Sequence, residues 1–217
     1  MHRLLIGLPV LASLVSFGQE TKRVVVETPT PLVREEYYVL VEHPEVKHGL
    51  YSRQFSKSSE RGQYENNVRV GVWEFYDKDR VVEQRIDFTK HELIFAKPFR
   101  LVKQWWVLEN GVQRSDSTGT PPVLIGGISR WASSHPSLRY PAEARKGGIQ
   151  GEVRISATIT TTGEMADRKI EEGPGHGLNE EALRVARLMD GEWFPAMIDG
   201  EAKDARVIIA FYFKLAE

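Results

Sequence analysis

The sequence contains no cysteine, so it can hold no disulfide framework, no thiolate nucleophile and no Cys-ligated metal site. It also lacks an excess of either charge. Twenty-nine Lys and Arg stand against 30 Asp and Glu, a formal net charge of -1, which provides no basic field for nucleic acid or an anionic membrane. No hydrophobic run reaches the roughly 20 residues that a spanning helix needs; the longest extends from Leu4 to Phe17. Catalytic signatures are missing too: there is no Ser elbow and no paired-His helix. The loop Gly173-Pro174-Gly175-His176-Gly177 is not followed by the Lys and Ser or Thr of a phosphate cradle. His176 stands there without a second ligand and reads as a turn histidine, while His43 and His48 flank Pro44 and a solvated turn. These absences point away from an enzyme, and from any metal, cofactor or nucleic-acid partner.

What is present starts with length: 217 residues, 41% hydrophobic and 27% charged, are enough for one or two packed domains. His2 and Arg3 precede the apolar run, and Ser16 and Gly18 supply small residues before Gln19. Residues 1–18 therefore read as a secretory signal peptide cut ahead of Gln19; left uncleaved, they would form an inner-membrane anchor. Thr28-Pro29-Thr30-Pro31 marks an extended linker over residues 19–36. From Tyr37 to Asn110 the chain reads as successive strands rich in aromatic and β-branched residues, with Gly, Asn and Asp turns. Gly49-Leu50-Tyr51 followed by Phe55 recurs as Gly71-Val72-Trp73 followed by Tyr76, with an Asn66-Asn67 turn between them. Tyr51, Phe55, Tyr64, Trp73 and Tyr76 at strand spacing are expected to pack one face of a meander. Trp105 and Trp106 are adjacent, so a strand sends them to opposite faces. The Ser, Thr, Gly and Pro cluster of residues 111–121 reads as a second linker.

The C-terminal part, residues 122–217, is more sharply patterned. Pro121 to Gly127 leads through Trp131 and Leu138 to Tyr140-Pro141, and Pro141 opens a short helix that Gly147 and Gly148 stop. Val153, Ile155, Ala157 and Ile159 then alternate with Glu152, Arg154, Ser156 and Thr158, one face buried and one wet. A turn over Thr160–Gly163 returns the chain as a second strand. Asn179 is the expected cap of a helix whose apolar stripe is Leu178, Ala182, Val185 and Met189. After Trp193-Phe194-Pro195-Ala196 and an Asp199-Gly200 turn, the last strand runs from Ala205 to Leu215. Its apolar face of Val207, Ile209, Phe211, Phe213 and Leu215 carries enough area, at roughly 6 to 12 kcal/mol for four large side chains, to dock it firmly. Eleven residues exceed the usual strand length of about 5 to 6, leaving main-chain groups for another strand.

Two resemblances follow from these motifs. The order Gly, Tyr, Asn turn, Gly, Trp, Tyr-Asp from Gly62 to Asp77 resembles MORN-like tandem β-hairpin repeats, which act as spacers or interaction surfaces. The series Tyr140-Pro141-x-x-Ala144, Gly151-x-Val153, Gly163-Glu164, Leu178-Asn179-Glu180-Glu181-Ala182-Leu183 and Trp193-Phe194-Pro195-Ala196, ending in an alternating strand, resembles the TonB C-terminal domain. That resemblance implies an α+β fold: a three-stranded antiparallel sheet covered by two helices, here preceded by an all-β hairpin-repeat region. It also implies a periplasmic protein whose last strand pairs with an extended segment of an outer-membrane TonB-dependent transporter or other envelope protein. Carried onto this sequence, the partner-binding residues are Arg206, Ile208, Ala210, Tyr212 and Lys214 on the last strand, with Leu138, Arg139, Tyr140 and Pro141 as a second contact region. Strand exchange between two copies would give a homodimer. A full transducer of this family has a membrane helix and a long Pro-rich spacer where this chain has a signal-like segment and hairpins. The alternative role is therefore an inner-membrane-anchored energy transducer, and a third is a structural envelope interaction protein.

Overall fold

The computed structural model describes residues 19–29, 32–98, 101–115, 119–134, 138–189 and 193–215. The signal-peptide reading falls on residues 1–18, outside the described residues. Among the described residues no helix is long and apolar enough to cross a membrane. The chain divides into two units, Met1–Lys97 with Gly126–Ser134, and Pro98–Ile125 with His135–Glu217.

In the first unit each strand pairs with the next in the chain. β1 (Thr21–Pro29), β2 (Leu32–Leu40), β3 (Lys47–Phe55), β4 (Ser58–Glu65), β5 (Val68–Asp77), β6 (Val82–Asp87) and β7 (Glu92–Ala96) form one seven-stranded antiparallel meander. Asn66 and Asn67 make the β4–β5 turn with φ of 49° and 67°, the left-handed geometry such a hairpin requires. The segment expected to be a linker is itself a hairpin. Val24, Val25 and Val26 pair with Tyr37, Glu36 and Glu35, and Pro29 lies opposite Leu32 at the hairpin's end, where its missing N–H breaks no interior ladder bond.

Alternation buries Tyr51, Phe55, Trp73, Phe75 and Ile86 on one face. The Tyr51, Tyr64 and Trp73 rings meet at 5.1 to 5.2 Å. Gly62 lies beneath Trp73, where a Cβ would come within 2.3 Å of the indole. Phe75 rather than Tyr76 faces this core; Tyr76 donates its hydroxyl to Glu74 at 2.7 Å. The face is closed by α1 (Gly127–Ser134). Arg130 reaches Glu60 at 2.6 Å with both side chains nearly buried, and the Gly126 N–H donates to Gln84 Oε1 at 2.6 Å. Trp131, which the sequence reading placed in the C-terminal module, therefore belongs to the helix that closes the first unit.

The second unit holds β8 (Val102–Glu109), β9 (Val112–Arg114), β10 (Val123–Leu124), α2 (Ala142–Lys146), β11 (Gly151–Ile159), β12 (Met165–Glu172), α3 (Leu178–Arg187), β13 (Trp193–Phe194), β14 (Ala196–Ile198), β15 (Glu201–Lys203) and β16 (Ala205–Phe213). Its main sheet has five strands in the order β12-β11-β16-β8-β9, not three, with separate β10–β13 and β14–β15 ladders. Of the two added strands, β8 comes from the end of the stretch read as the hairpin region, and β9 from residues 111–121, which read as a linker and in fact open with a strand. The aromatic and β-branched composition of β8 identifies a strand but not the sheet that it joins.

The module's core follows its pattern. Val153, Ile155, Ala157 and Ile159 of β11, Val207, Ile209, Phe211 and Phe213 of β16, and Leu178, Ala182 and Val185 of α3 with Met189 just past its end are all buried. At the β11–β12 turn, Gly163 has φ of 81° and a Cβ there would lie 2.1 Å from the Trp193 carbonyl oxygen. Asp199 and Gly200, at φ of 51° and 81°, turn β14 into β15. Two cap assignments shift by a residue or two. Pro141 occupies the N-cap of α2 rather than its first helical position. Gly177 is the N-cap of α3, and Asn179 instead accepts a hydrogen bond from the Gly175 N–H at 3.1 Å, holding the glycine loop against the helix.

Candidate functional site

The site begins with the position of β16, which is interior to the sheet. On one side it pairs with β11 from Gly151↔Phe213 to Ile159↔Ala205. On the other it pairs with β8 from Ala205↔Val107 to Ile209↔Val102. The expectation of a free edge along Arg206–Leu215 is thus corrected for residues 206–210. The length that suggested unpaired main-chain groups is used by a strand lying outside the C-terminal motif series.

Hydrogen bonds fix which groups point toward β8. The Leu108 N–H donates to the Asp204 carbonyl at 2.8 Å, and the Ala210 N–H donates to the Leu101 carbonyl at 2.8 Å. Antiparallel strands direct alternate residues to alternate sides, so Arg206, Ile208, Ala210 and Tyr212 all turn their N–H and C=O toward β8. The register with β8 ends at Ile209, and the Ala210–Leu101 bond is one step further. Tyr212 and Lys214 come after it.

The side chains on this face have different fates. Arg206 donates to Ser156 Oγ at 2.6 Å and to the Asp167 carbonyl at 3.3 Å, and lies 3.8 Å from the Glu171 carboxylate. Ser156 also donates to Glu171. This network buries Ser156 and Thr158, which the alternation had assigned to the wet face, and it commits Arg206 within the sheet. Ala210 is fully buried and Ile208 half-buried. Tyr212 is 43% exposed. The Lys103 ammonium sits 5.1 Å from the Tyr212 ring centroid, a cation–π contact. Lys103 is the residue skipped where the β8 register jumps from Gln104 to Val102, and the bulge aims it across the strand.

Leu101, Val102, Lys103, Tyr212 and Lys214 line a shallow groove of about 560 Å³. Its two lysines make it cationic. Glu152, in register with Tyr212, is held by Arg154 at 2.7 Å, and that hydrogen bond keeps its carboxyl below the usual range. Leu101, Val102 and Lys103 were missed by sequence reasoning; the one available signal was the strand-like composition of Val102–Glu109.

The second contact region meets the same end of β16 from the helix-covered face. The Tyr140 ring packs edge-on against Phe213 at 6.0 Å, and its hydroxyl donates to the Ile149 carbonyl at 2.6 Å. The Arg139 N–H donates to Glu181 Oε1 at 2.7 Å. Arg184 grips Glu181 with two bonds of 2.8 and 2.7 Å; these, helped by the Arg139 N–H, hold its carboxyl below the ordinary range. Leu138 and Arg139 remain exposed. Of the nine sequence-predicted residues, the structure gathers Tyr140, Pro141, Tyr212 and Lys214 toward one end of the sheet and leaves Arg206 toward the other. His176 Nδ1 lies 2.8 Å from Glu143 Oε1, and among the described residues no group of three His, Asp or Glu could hold a metal ion.

The unit so defined is an α+β module with a long terminal strand, following an all-β meander in the chain. Residues 136–215 match the family model described as Gram-negative bacterial TonB protein C-terminal. This is the family that the motifs from Tyr140 onward resemble, and the matched span holds α2, β11, β12, α3, β16 and all nine proposed contact residues; β8 and β9 lie ahead of it. Comparison with curated proteins and with solved structures found no match.

Proposed function

We propose that the protein is a TonB-like envelope protein of the periplasm that captures an extended segment of an outer-membrane transporter, or of another envelope protein, by adding it as a strand to β16. The observation that carries this reading is the family match over residues 136–215, together with the position of Tyr212 beyond the last β8 bond among the described residues. β-Strand addition draws affinity from main-chain bonds and choice from side-chain pockets. The groove at Tyr212, with Lys103 and Lys214, suits a segment that brings a carboxylate to it.

Tyr212→Pro tests the reading because it deletes a donor on the partner side of β16 and none on the β11 side. The wild-type chain is expected to retain a transporter from a detergent-solubilised envelope extract, and the folded variant to lose it. Equal retention by the two, or neither a transporter nor another envelope protein on the wild type, refutes strand capture at this position.

The family match also favours a second reading, coupling of inner-membrane energy to transport. It requires residues 1–18 to stay on the chain as an anchor. N-terminal sequencing of the exported protein decides: a mature chain starting near Gln19 excludes the anchor.

A further inference from the structure

We propose that β8 is a resident stand-in for the partner strand, and that capture proceeds by exchange: the incoming segment displaces β8 from β16, beginning at Tyr212. This rests on the strand-capture reading above. Three observations carry it. First, β8 comes from outside the matched residues 136–215, yet it fills the side of β16 that the proposed partner needs, from Ala205 to Ile209. Second, the β8–β16 ladder is irregular, with a bulge at Lys103 between Gln104 and Val102. The β11–β16 ladder runs nine residue pairs without a register shift. A bulge interrupts ladder bonding and marks the weaker side. Third, the bulge sits beside the groove of Leu101, Val102, Lys103, Tyr212 and Lys214, so a segment seated at Tyr212 meets β8 at its irregular end.

The resident strand also describes its replacement. Trp105 stands opposite Val207, Val102 opposite Ile209 and Val107 opposite Ala205, and Val207, Ile209 and Ala205 are buried on the helix-covered side. The fitting partner is an extended segment with bulky apolar side chains at these positions. Until β8 leaves, the competent state is a minor one, and apparent affinity is reduced by its fraction.

The exchange is tested on the full chain with a fluorescein-labelled synthetic peptide of residues 101–109 as probe. Gln104→Pro removes an N–H that points toward β16 and loosens β8. It should bind the peptide at least tenfold more tightly than the wild type. Gln104→Cys with Ile208→Cys joins a facing pair. Such pairs have a Cα separation of about 5.5 Å, inside the disulfide range, and the chain has no other cysteine. The oxidised double variant should bind no peptide, and reduction of the same variant should restore binding. Two results overturn exchange: no gain in Gln104→Pro while amide protection of β11 and β16 persists, or wild-type binding by the oxidised variant. Transporter capture separates the two ideas. Retention by the oxidised variant overturns exchange and leaves capture on another edge, whereas no retention by the wild type removes the reading on which exchange rests.

Discussion

Glu74 shows how a single residue ties the hairpin sheet to pH. It accepts hydrogen bonds from Arg61 at 2.7 Å, Arg85 at 2.8 Å and Tyr76 at 2.7 Å. Burial by itself would raise its pKa, but the hydrogen bonds from Tyr76, Arg61 and Arg85 outweigh it and hold the carboxyl at about 2, against 4.5 for a free side chain. A folded value below the unfolded one stabilises the fold above the unfolded pKa, and this contribution is lost as pH falls through the folded pKa. Glu36 beside Arg23 and Asp77 beside Lys97 are lowered in the same direction. Urea denaturation across pH should therefore show wild-type stability falling between about pH 4.5 and 2. Glu74→Gln should be less stable at neutral pH and flatter through this window, keeping the slope that Glu36 and Asp77 supply. None of this was legible in the sequence, because Arg61, Glu74 and Arg85 become neighbours only through the β4–β5–β6 register.

At the scale of elements, β16 has a buried face and a face that carries the proposed contact residues. Ile209 is fully buried between the sheet and its helices, so Ile209→Ala should destabilise the protein by about 2 to 5 kcal/mol, as large-to-small core changes do. Tyr212→Ala removes an exposed ring and should shift stability by no more than about 0.5 kcal/mol while weakening capture. Denaturation midpoints and transporter retention, measured on the same pair, separate the two faces. The α2, β11, β12, α3 and β16 elements were readable because their signals are local: alternation in β11 and β16, an apolar stripe on α3, glycines after α2. The neighbours of β16 were not. Val102–Glu109 reads as a strand, yet its pairing with a strand about 100 residues later depends on chain closure rather than on composition. The same limit hid the β1–β2 hairpin behind its prolines and moved Trp131 into the helix that closes the first unit. Arg206 looked free for a partner because its acceptors, Ser156 and the Asp167 carbonyl, lie on other strands.

At the scale of the whole molecule, the chain joins a seven-stranded meander to a module whose residues 136–215 match the TonB C-terminal family. Between them it supplies β8, a strand that the matched segment does not contain. In the proposed capture, the β16 side now held by β8 receives an extended segment of an envelope partner. The most direct measurement places p-benzoyl-phenylalanine at Tyr212 in the full chain, irradiates intact cells, and identifies the adduct by mass spectrometry. The expected result is a cross-link to an extended, periplasm-facing segment of an outer-membrane transporter or other envelope protein, lost when Gln104→Cys and Ile208→Cys are oxidised. A Tyr212 cross-link found solely to this protein itself, or one whose yield ignores the disulfide, would contradict it.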